Sequence, residues 1–202
     1  MGNGITSEID DLRSSNLYKY IGGLAKYPAS AWSKVIKRKL LLEEKLYFKK
    51  GLLCEDLEWS ARLFSKIESA AFCEHPYYFY RQSRPNSISN SKSAKKVFHQ
   101  MYSFEKICKM GDNEKNAPKK KMLYSFAEYI LRTIVLDYSI LTYKQKKKIH
   151  AIIKDHFTVI GTRRDIKSRL IGLCIKVFVL NLTSSIFKRF LGFRKKILSS
   201  GH

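Results

Sequence analysis

The sequence has few acidic residues and lacks the patterns that mark several common classes of protein. It contains 17 Asp and Glu against 39 Lys and Arg, which gives a net charge of +22 at pH 7. Its four cysteines are widely spaced and form no C-x-x-C pair, which argues against a zinc site. The first fifteen residues contain no apolar run of the kind found in a secretory signal. Reduced thiols and a cytoplasmic location are therefore expected.

The excess of positive charge is unevenly distributed along the chain. Residues 1–92 carry 15 basic and 10 acidic side chains, whereas residues 93–202 carry 24 and 7. Charge of this size implies an anionic partner, such as nucleic acid, an acidic membrane surface or a phosphorylated substrate. The sequence thus divides at residue 92 into two regions of different chemistry, and the second is a basic region with a helical pattern.

The hydrophobic patterning predicts an α+β protein that is mostly helical. An aromatic segment at 69–81, interrupted by Pro76, is expected to form one or two short strands, and a polar loop follows at 82–93. A turn is expected at 49–51, and a break between helices at "GDNEKNAP". Helices are expected at 8–27, in the later part of 31–46, and at 55–67, 93–110, 117–138, 144–156 and 163–192.

Three carboxylates fall within four positions in the stretch "FKKGLLCEDLEWSARLF", residues 48 to 64. Glu55, Asp56 and Glu58 stand at the start of a predicted helix, where unpaired backbone N–H groups and the helix dipole favour negative charge. One interpretation is helix capping, the commonest reason for acids at this position. The other is a general base, because an ionised carboxylate on a rigid turn can accept a proton from a substrate hydroxyl.

The surrounding residues resemble the acceptor-side half of the family 2 glycosyltransferases, which have the GT-A fold. The resemblance covers roughly residues 8 to 92 and identifies residues 1–92 as a truncated acceptor-side half with few short strands. It rests on several ordered pieces at the family's spacing. These are W-x-K-x-x-x-R-x-x-L at Trp32, Lys34, Arg38 and Leu41; Phe48 and Gly51; the Glu55-Asp56 pair; a tyrosine-rich segment from Tyr77 to Arg81; and the loop Ser87-Ile88-Ser89.

The resemblance implies a reaction and a role for each matching residue. In the family the Asp of the E-D pair is the catalytic base, which takes a proton from the acceptor hydroxyl as that oxygen attacks a nucleotide sugar with inversion. Asp56 would be this base and Glu55 its neighbour. Trp59 would contact the acceptor, or else be a core aromatic. The other implied substrate-binding residues are Trp32, Lys34, Arg81, Ser87 and Ser89, with Arg81 and the two serines near the leaving diphosphate. The alternative for Arg81 is a surface side chain.

The sequence also departs from the family. It contains neither the alternating strands and helices that bind the nucleotide nor the D-x-D motif that holds Mn²⁺ or Mg²⁺. We therefore assign no metal ligand and no cofactor to this chain. We expect a glycosyltransferase fragment of cell-surface polysaccharide synthesis that is inactive alone. It would be either a truncated or split gene product, or a chain whose donor half is supplied by a partner chain. Its implied substrates are a nucleotide-sugar donor and a glycan or lipid-linked acceptor.

Two further interpretations concern the basic region. The segment "SSIFKRFLGFRKKIL", residues 184–198, sets Phe187, Phe190 and Phe193 against five basic residues. This pattern predicts a peripheral contact with the anionic inner face of the plasma membrane, although such a helix could instead pack on its own domain. The lysine runs at 119–121 and 144–148 could bind nucleic acid, but no helix-turn-helix, zinc-finger or RNP signature supports that partner.

Overall fold

The computed structural model describes residues 14–24, 27–71, 78–79, 81, 92–163, 169–170 and 172. Within these ranges the chain forms six α-helices and no strand. Short 3-10 helices lie at Ala31–Ser33, Tyr138–Ile140 and Phe157–Val159. The α-helices are α1 Ser14–Gly23, α2 Arg38–Glu43, α3 Glu55–Phe64, α4 Ala94–Asp112, α5 Ala117–Asp137 and α6 Tyr143–Asp155.

The prediction of a mostly helical protein is confirmed. Helices α3 to α6 lie where the periodicity placed them, with ends that differ by no more than three residues, and Gly51 has the positive φ of 78° expected in a turn. The GT-A strands are not shown, because most of the segment 69–81 lies outside the described residues. Most of the polar loop at 82–93 and of the helix expected at 163–192 also lies outside them.

The starts of the three long helices follow from their capping residues. The side chains of Ser93, Asn116 and Thr142 each accept a hydrogen bond from the backbone N–H three residues later. Each bond satisfies one of the N–H groups that a helix leaves unpaired at its first turn. Pro118 lies in the first turn of α5, and Gln145 completes a capping box at the start of α6. These caps explain why the break in "GDNEKNAP" falls between Asp112 and Ala117.

One hydrophobic core joins both regions of the sequence. Helices α4 and α5 form a hairpin, α1 packs on α5, and α3 packs on α4. Leu17 and Phe64 of the first region belong to the same buried cluster as Phe104, Ile130 and Ile153 of the second. The boundary at residue 92 therefore marks a change in charge, while the described parts of the two regions pack on each other. The division into two domains stays a prediction.

A buried polar cluster ties the chain after α6 to α1 and α5. The carboxylate of Glu128 accepts hydrogen bonds from the backbone N–H groups of Gly161 at 2.9 Å and Arg163 at 2.7 Å. The guanidinium of Arg163 donates to the carbonyl oxygen of Leu24 at 2.7 Å. Glu128 and Arg163 are both buried, so these hydrogen bonds satisfy polar groups that are shielded from water. Within the described part of the chain, no helix has the length and apolar character needed to cross a bilayer.

We predict that Gly111→Ala destabilises the hairpin of α4 and α5. A methyl group at this position would overlap the ring of Tyr124, with its Cδ1 only 2.7 Å away. Overpacking of this kind lowers the free energy of unfolding by about 1–3 kcal/mol. The matched control is Gly23→Ala in α1, where no atom lies within 4 Å of the added methyl group. Urea unfolding of both variants is the measurement, and equal stabilities would contradict the close approach at Gly111.

Candidate functional site

Helix α3 carries the three carboxylates and is buried on two sides. Leu57, Ala61 and Phe64 join the main core, whereas Trp59 and Leu63 join a smaller apolar cluster with the segment around α2. Burial of these side chains fixes α3 in position. Because most of its sides are covered, its first turn is one of the few parts that reach the surface.

Glu58 has a structural role in this helix. It is 4% exposed, and its Oε1 lies 2.8 Å from Nε of Arg62, one helical turn later. The guanidinium of Arg62 also donates to the carbonyl oxygen of Tyr47 at 2.6 Å. A buried carboxylate that is paired in this way stabilises the attachment of the preceding loop and is not available to a substrate.

Trp59 is a core side chain, so its position does not fit the predicted contact with an acceptor. It is 3% exposed, and its indole N–H donates to the carbonyl oxygen of Leu46 at 2.8 Å. One face of the indole stacks on Phe48, with 4.7 Å between the ring centroids. The core alternative that the sequence left open explains this residue, because a sugar could not reach its faces without unpacking α3.

Asp56 is the second residue of α3, at the helix N-terminus where the sequence placed it. Its carboxylate is half-buried, and the backbone N–H groups of Asp56 and Leu57 act to lower its pKa. Burial raises the pKa of Asp56, the neighbouring carboxylate of Glu55 raises it further, and the ammonium of Lys34 opposes both. Glu55 itself is exposed. Desolvation therefore outweighs the preference of a helix N-terminus for the ionised form.

Lys34 lies close enough to Asp56 for each charge to affect the pKa of the other. Its ammonium donates to the carbonyl oxygen of Ser30 at 2.7 Å and lies 5.5 Å from the ring centroid of Phe64. Burial lowers the pKa of Lys34 to about 8, and the carboxylate of Asp56 acts in the opposite direction. A half-buried acid and base whose pKa values both move toward neutrality form a group suited to proton transfer.

An exposed aromatic pair includes Trp32, which is close to Lys34 in the sequence. The ring of Trp32, two residues before Lys34, stacks on Tyr78 with 4.7 Å between centroids and 19° between planes. Trp32 is 43% exposed and Tyr78 is 50% exposed. The pair joins the segment before α2 to the aromatic segment 69–81, which are distant in the sequence. Its exposed rings offer the kind of surface on which sugars stack.

Of the remaining predicted residues, the structure describes Arg81 alone, and its side chain is exposed. Ser87 and Ser89 lie outside the described residues. Three of the predicted positions, Lys34, Glu55 and Asp56, are thus coupled electrostatically.

Two residues that sequence reasoning missed hold the turn before α3. Cys54, the residue before Glu55, has φ 57° in the left-handed region, which is uncommon for a residue with a side chain. The backbone N–H of Leu53 donates to Nδ1 of His99 in α4 at 2.7 Å. Backbone strain of this kind clusters at functional sites. No signal in the sequence pointed to His99, because it is far from Leu53 along the chain.

The site contains no metal centre in the residues that the structure describes. No group of three or more His, Cys, Asp or Glu side chains is placed to hold a metal ion there. Among the described residues, Glu55 is the acidic neighbour that raises the pKa of Asp56, and the ammonium of Lys34 acts in the opposite direction.

We predict that Asp56→Asn raises the free energy of unfolding at neutral pH. Because the folded-state pKa of Asp56 is raised, ionising this carboxylate opposes folding. This gain in the free energy of unfolding should be absent below the unfolded-state pKa of about 3.9. It should appear as the pH rises through the folded-state pKa of Asp56. Urea unfolding between pH 4 and 8 is the measurement, with the exposed Glu43→Gln as control. A loss of stability at neutral pH would contradict the assignment.

Comparison with known proteins does not assign this chain to a family. The chain matches no protein-family model, no curated protein and no solved structure. A function for the site is therefore argued from the chemistry of Lys34 and Asp56.

Proposed function

We propose that the chain is the acceptor-side part of an inverting glycosyltransferase of the family 2 type. It would transfer a sugar from a nucleotide-sugar donor to a hydroxyl of a glycan or lipid-linked acceptor. The observation that supports this most is the electrostatic coupling of Lys34 and Asp56. The two belong to separate pieces of the motif, and helix capping alone gives no reason for the charge of Lys34 to act on Asp56.

Asp56 acts as the general base in this proposal. Its carboxylate accepts the proton of the acceptor hydroxyl while that oxygen forms a bond to the anomeric carbon. The bond from this carbon to the diphosphate breaks at the same time, and the diphosphate leaves with the electron pair. A raised pKa makes Asp56 a stronger base than an exposed aspartate, and the best catalytic base has a pKa near the working pH.

Lys34 supplies positive charge next to the base. With a pKa of about 8 it is mostly protonated at pH 7. In this state it favours the ionised form of Asp56 before the reaction, and it is a cation available to the leaving diphosphate. When Asp56 takes the acceptor proton, it loses the negative charge that balanced Lys34. The ammonium of Lys34 can then stabilise the negative charge that develops on the leaving diphosphate.

The exposed pair of Trp32 and Tyr78 replaces Trp59 as the proposed acceptor platform. Both rings lie at the surface, whereas Trp59 is enclosed. Arg81, Ser87 and Ser89 keep their proposed role at the diphosphate, which follows from the resemblance alone.

The nucleotide and its metal belong to another part of the family fold. The described residues do not provide a metal site, and we assign no step to a metal. In the family, Mn²⁺ or Mg²⁺ is held by the D-x-D motif, which these 202 residues lack. The donor half would therefore be supplied by a separate segment or by a partner chain.

We predict that Asp56→Asn lowers sugar transfer by about 100- to 10,000-fold in a complex with a donor-half chain, the range that a general base contributes. Nucleotide binding should stay nearly unchanged, because the substitution keeps the shape and removes only the proton acceptor. Release of nucleoside diphosphate from a panel of UDP- and GDP-sugars measures transfer. The control is Glu68→Gln, which neutralises an exposed carboxylate outside the site.

Two outcomes would overturn the proposal. One is an Asp56→Asn complex that transfers sugar as fast as the Glu68→Gln complex. The other is micromolar binding of a nucleoside diphosphate with Mn²⁺ by the purified 202-residue chain. We expect this chain by itself to bind no nucleoside diphosphate and to transfer no sugar.

A further inference from the structure

Helix α6 presents an exposed surface that is rich in lysine. Ile149 and Ile153 are buried in the core, so the opposite side of the helix points to solvent. Eight residues of the helix are exposed, and we call five of them the lysine face: Tyr143, Lys144, Lys147, Lys148 and Lys154. The other three are His150, Ala151 and Asp155. Asp155, at the last position, is the one acidic residue in the helix. The lysine face is therefore strongly positive.

The charge of the lysine face is not balanced by nearby carboxylates. Of the residues that the structure describes, basic side chains in α2 to α5 and the adjoining turns form ion pairs, but none of the lysines of this face lies within ion-pair distance of an acid. A folded chain usually intersperses charges of both signs on an exposed helix. An uncompensated face suits a partner that brings negative charge.

The positive surface continues from α6 onto α4. The ammonium of Lys148 lies 5.7 Å from the ring centroid of Phe98, and the ammonium of Lys49 lies 3.7 Å from that of Tyr102. Lys95 is exposed on the first turn of α4. These contacts place lysines from three separate segments around one side of α4, so the surface is wider than a single helix.

The form of this surface fits a membrane better than a nucleic acid. Proteins that bind single-stranded nucleic acids stack the bases on exposed aromatic rings in a groove. Here ammonium groups lie over the rings of Phe98 and Tyr102, and the lysine face is the convex side of a helix. At the start of this helix Tyr143 is 84% exposed and Ile140 is 39% exposed. Exposed tyrosine and isoleucine next to lysines suit the interface of a bilayer.

We propose that the lysine face of α6 docks on a bilayer surface that contains anionic lipids. The ammonium groups would lie at the level of the lipid phosphates, with Tyr143 and Ile140 in the interfacial layer. This contact is separate from the one predicted for residues 184–198. It rests on charge and exposure alone, so it holds whether or not the chain takes part in sugar transfer.

The test compares two variants of the full chain that lose the same amount of charge. The lysine-face variant is K144Q/K147Q/K148Q/K154Q. The control removes four exposed lysines from other parts of the surface and is K19Q/K37Q/K115Q/K121Q. Co-sedimentation with vesicles of phosphatidylcholine, with and without phosphatidylglycerol, measures binding. Circular dichroism and urea unfolding check that each variant folds, and K144R/K147R/K148R/K154R keeps the charge while changing the same positions.

We expect the lysine-face variant to lose about tenfold or more of its partition onto phosphatidylglycerol vesicles, because each lysine contributes to binding. The control and the arginine variant should bind nearly as well as the unchanged chain, and added salt should weaken binding. Equal binding by the lysine-face and control variants would overturn the proposal. So would a loss seen only after K188Q/R189Q/R194Q/K195Q, or tighter binding to oligothymidylate than to vesicles at the same salt concentration.

Discussion

The burial of α3 between two apolar clusters is the constraint on which the candidate site depends. Leu57, Ala61 and Phe64 pack into the main core, and Trp59 and Leu63 pack against the segment around α2. Full burial of a large apolar side chain contributes about 1.5–3 kcal/mol, so several such side chains hold α3 firmly. The first turn of the helix is then fixed at the edge of the core. Asp56 can be neither fully solvated nor fully enclosed in that position.

The carboxylates of α3 show how the same residue type takes different roles in one turn. Glu58 is buried and paired with Arg62 at 2.8 Å, so its charge is matched inside the structure. Asp56 is only half-buried. The ammonium of Lys34 opposes the rise in the pKa of Asp56, but the two groups do not form an ion pair as short as that of Glu58 and Arg62. Because the Asp56 carboxylate is only partly desolvated and only partly balanced by Lys34, a bound substrate can still change its protonation state. This difference separates the structural carboxylate from the proposed base.

Helix α4 connects the site with the lysine face. His99, in the second turn of α4, accepts a hydrogen bond from Leu53 in the turn before α3. The adjacent Phe98 lies under the ammonium of Lys148 from α6. The turn that carries Asp56 and the proposed membrane surface thus share one rigid helix. If both proposals hold, α4 would keep the base at a fixed position relative to a bilayer that contains a lipid-linked acceptor.

The sequence predicted the features that depend on local pattern and missed those that depend on distant contacts. The long helices were predictable because apolar periodicity and the caps at Ser93, Asn116 and Thr142 agree. The position of Asp56 at a helix start followed from the same local rules. The burial of Trp59 did not, because an aromatic residue beside an acidic turn fits either a core or a binding surface. His99 became part of the turn only through folding, far from Leu53 in sequence.

The most direct test of the Lys34–Asp56 site is a titration of Lys34 that is monitored by NMR on lysine-labelled protein. We expect the Lys34 ammonium to titrate with a pKa of about 8 in the unchanged chain. In Asp56→Asn its pKa should be lower still, because the lost carboxylate favours the protonated amine, whereas Glu43→Gln should leave it unchanged. A Lys34 that titrates near its ordinary value of 10.5, or at the same pH with and without the Asp56 carboxylate, would show that the two groups do not form one site.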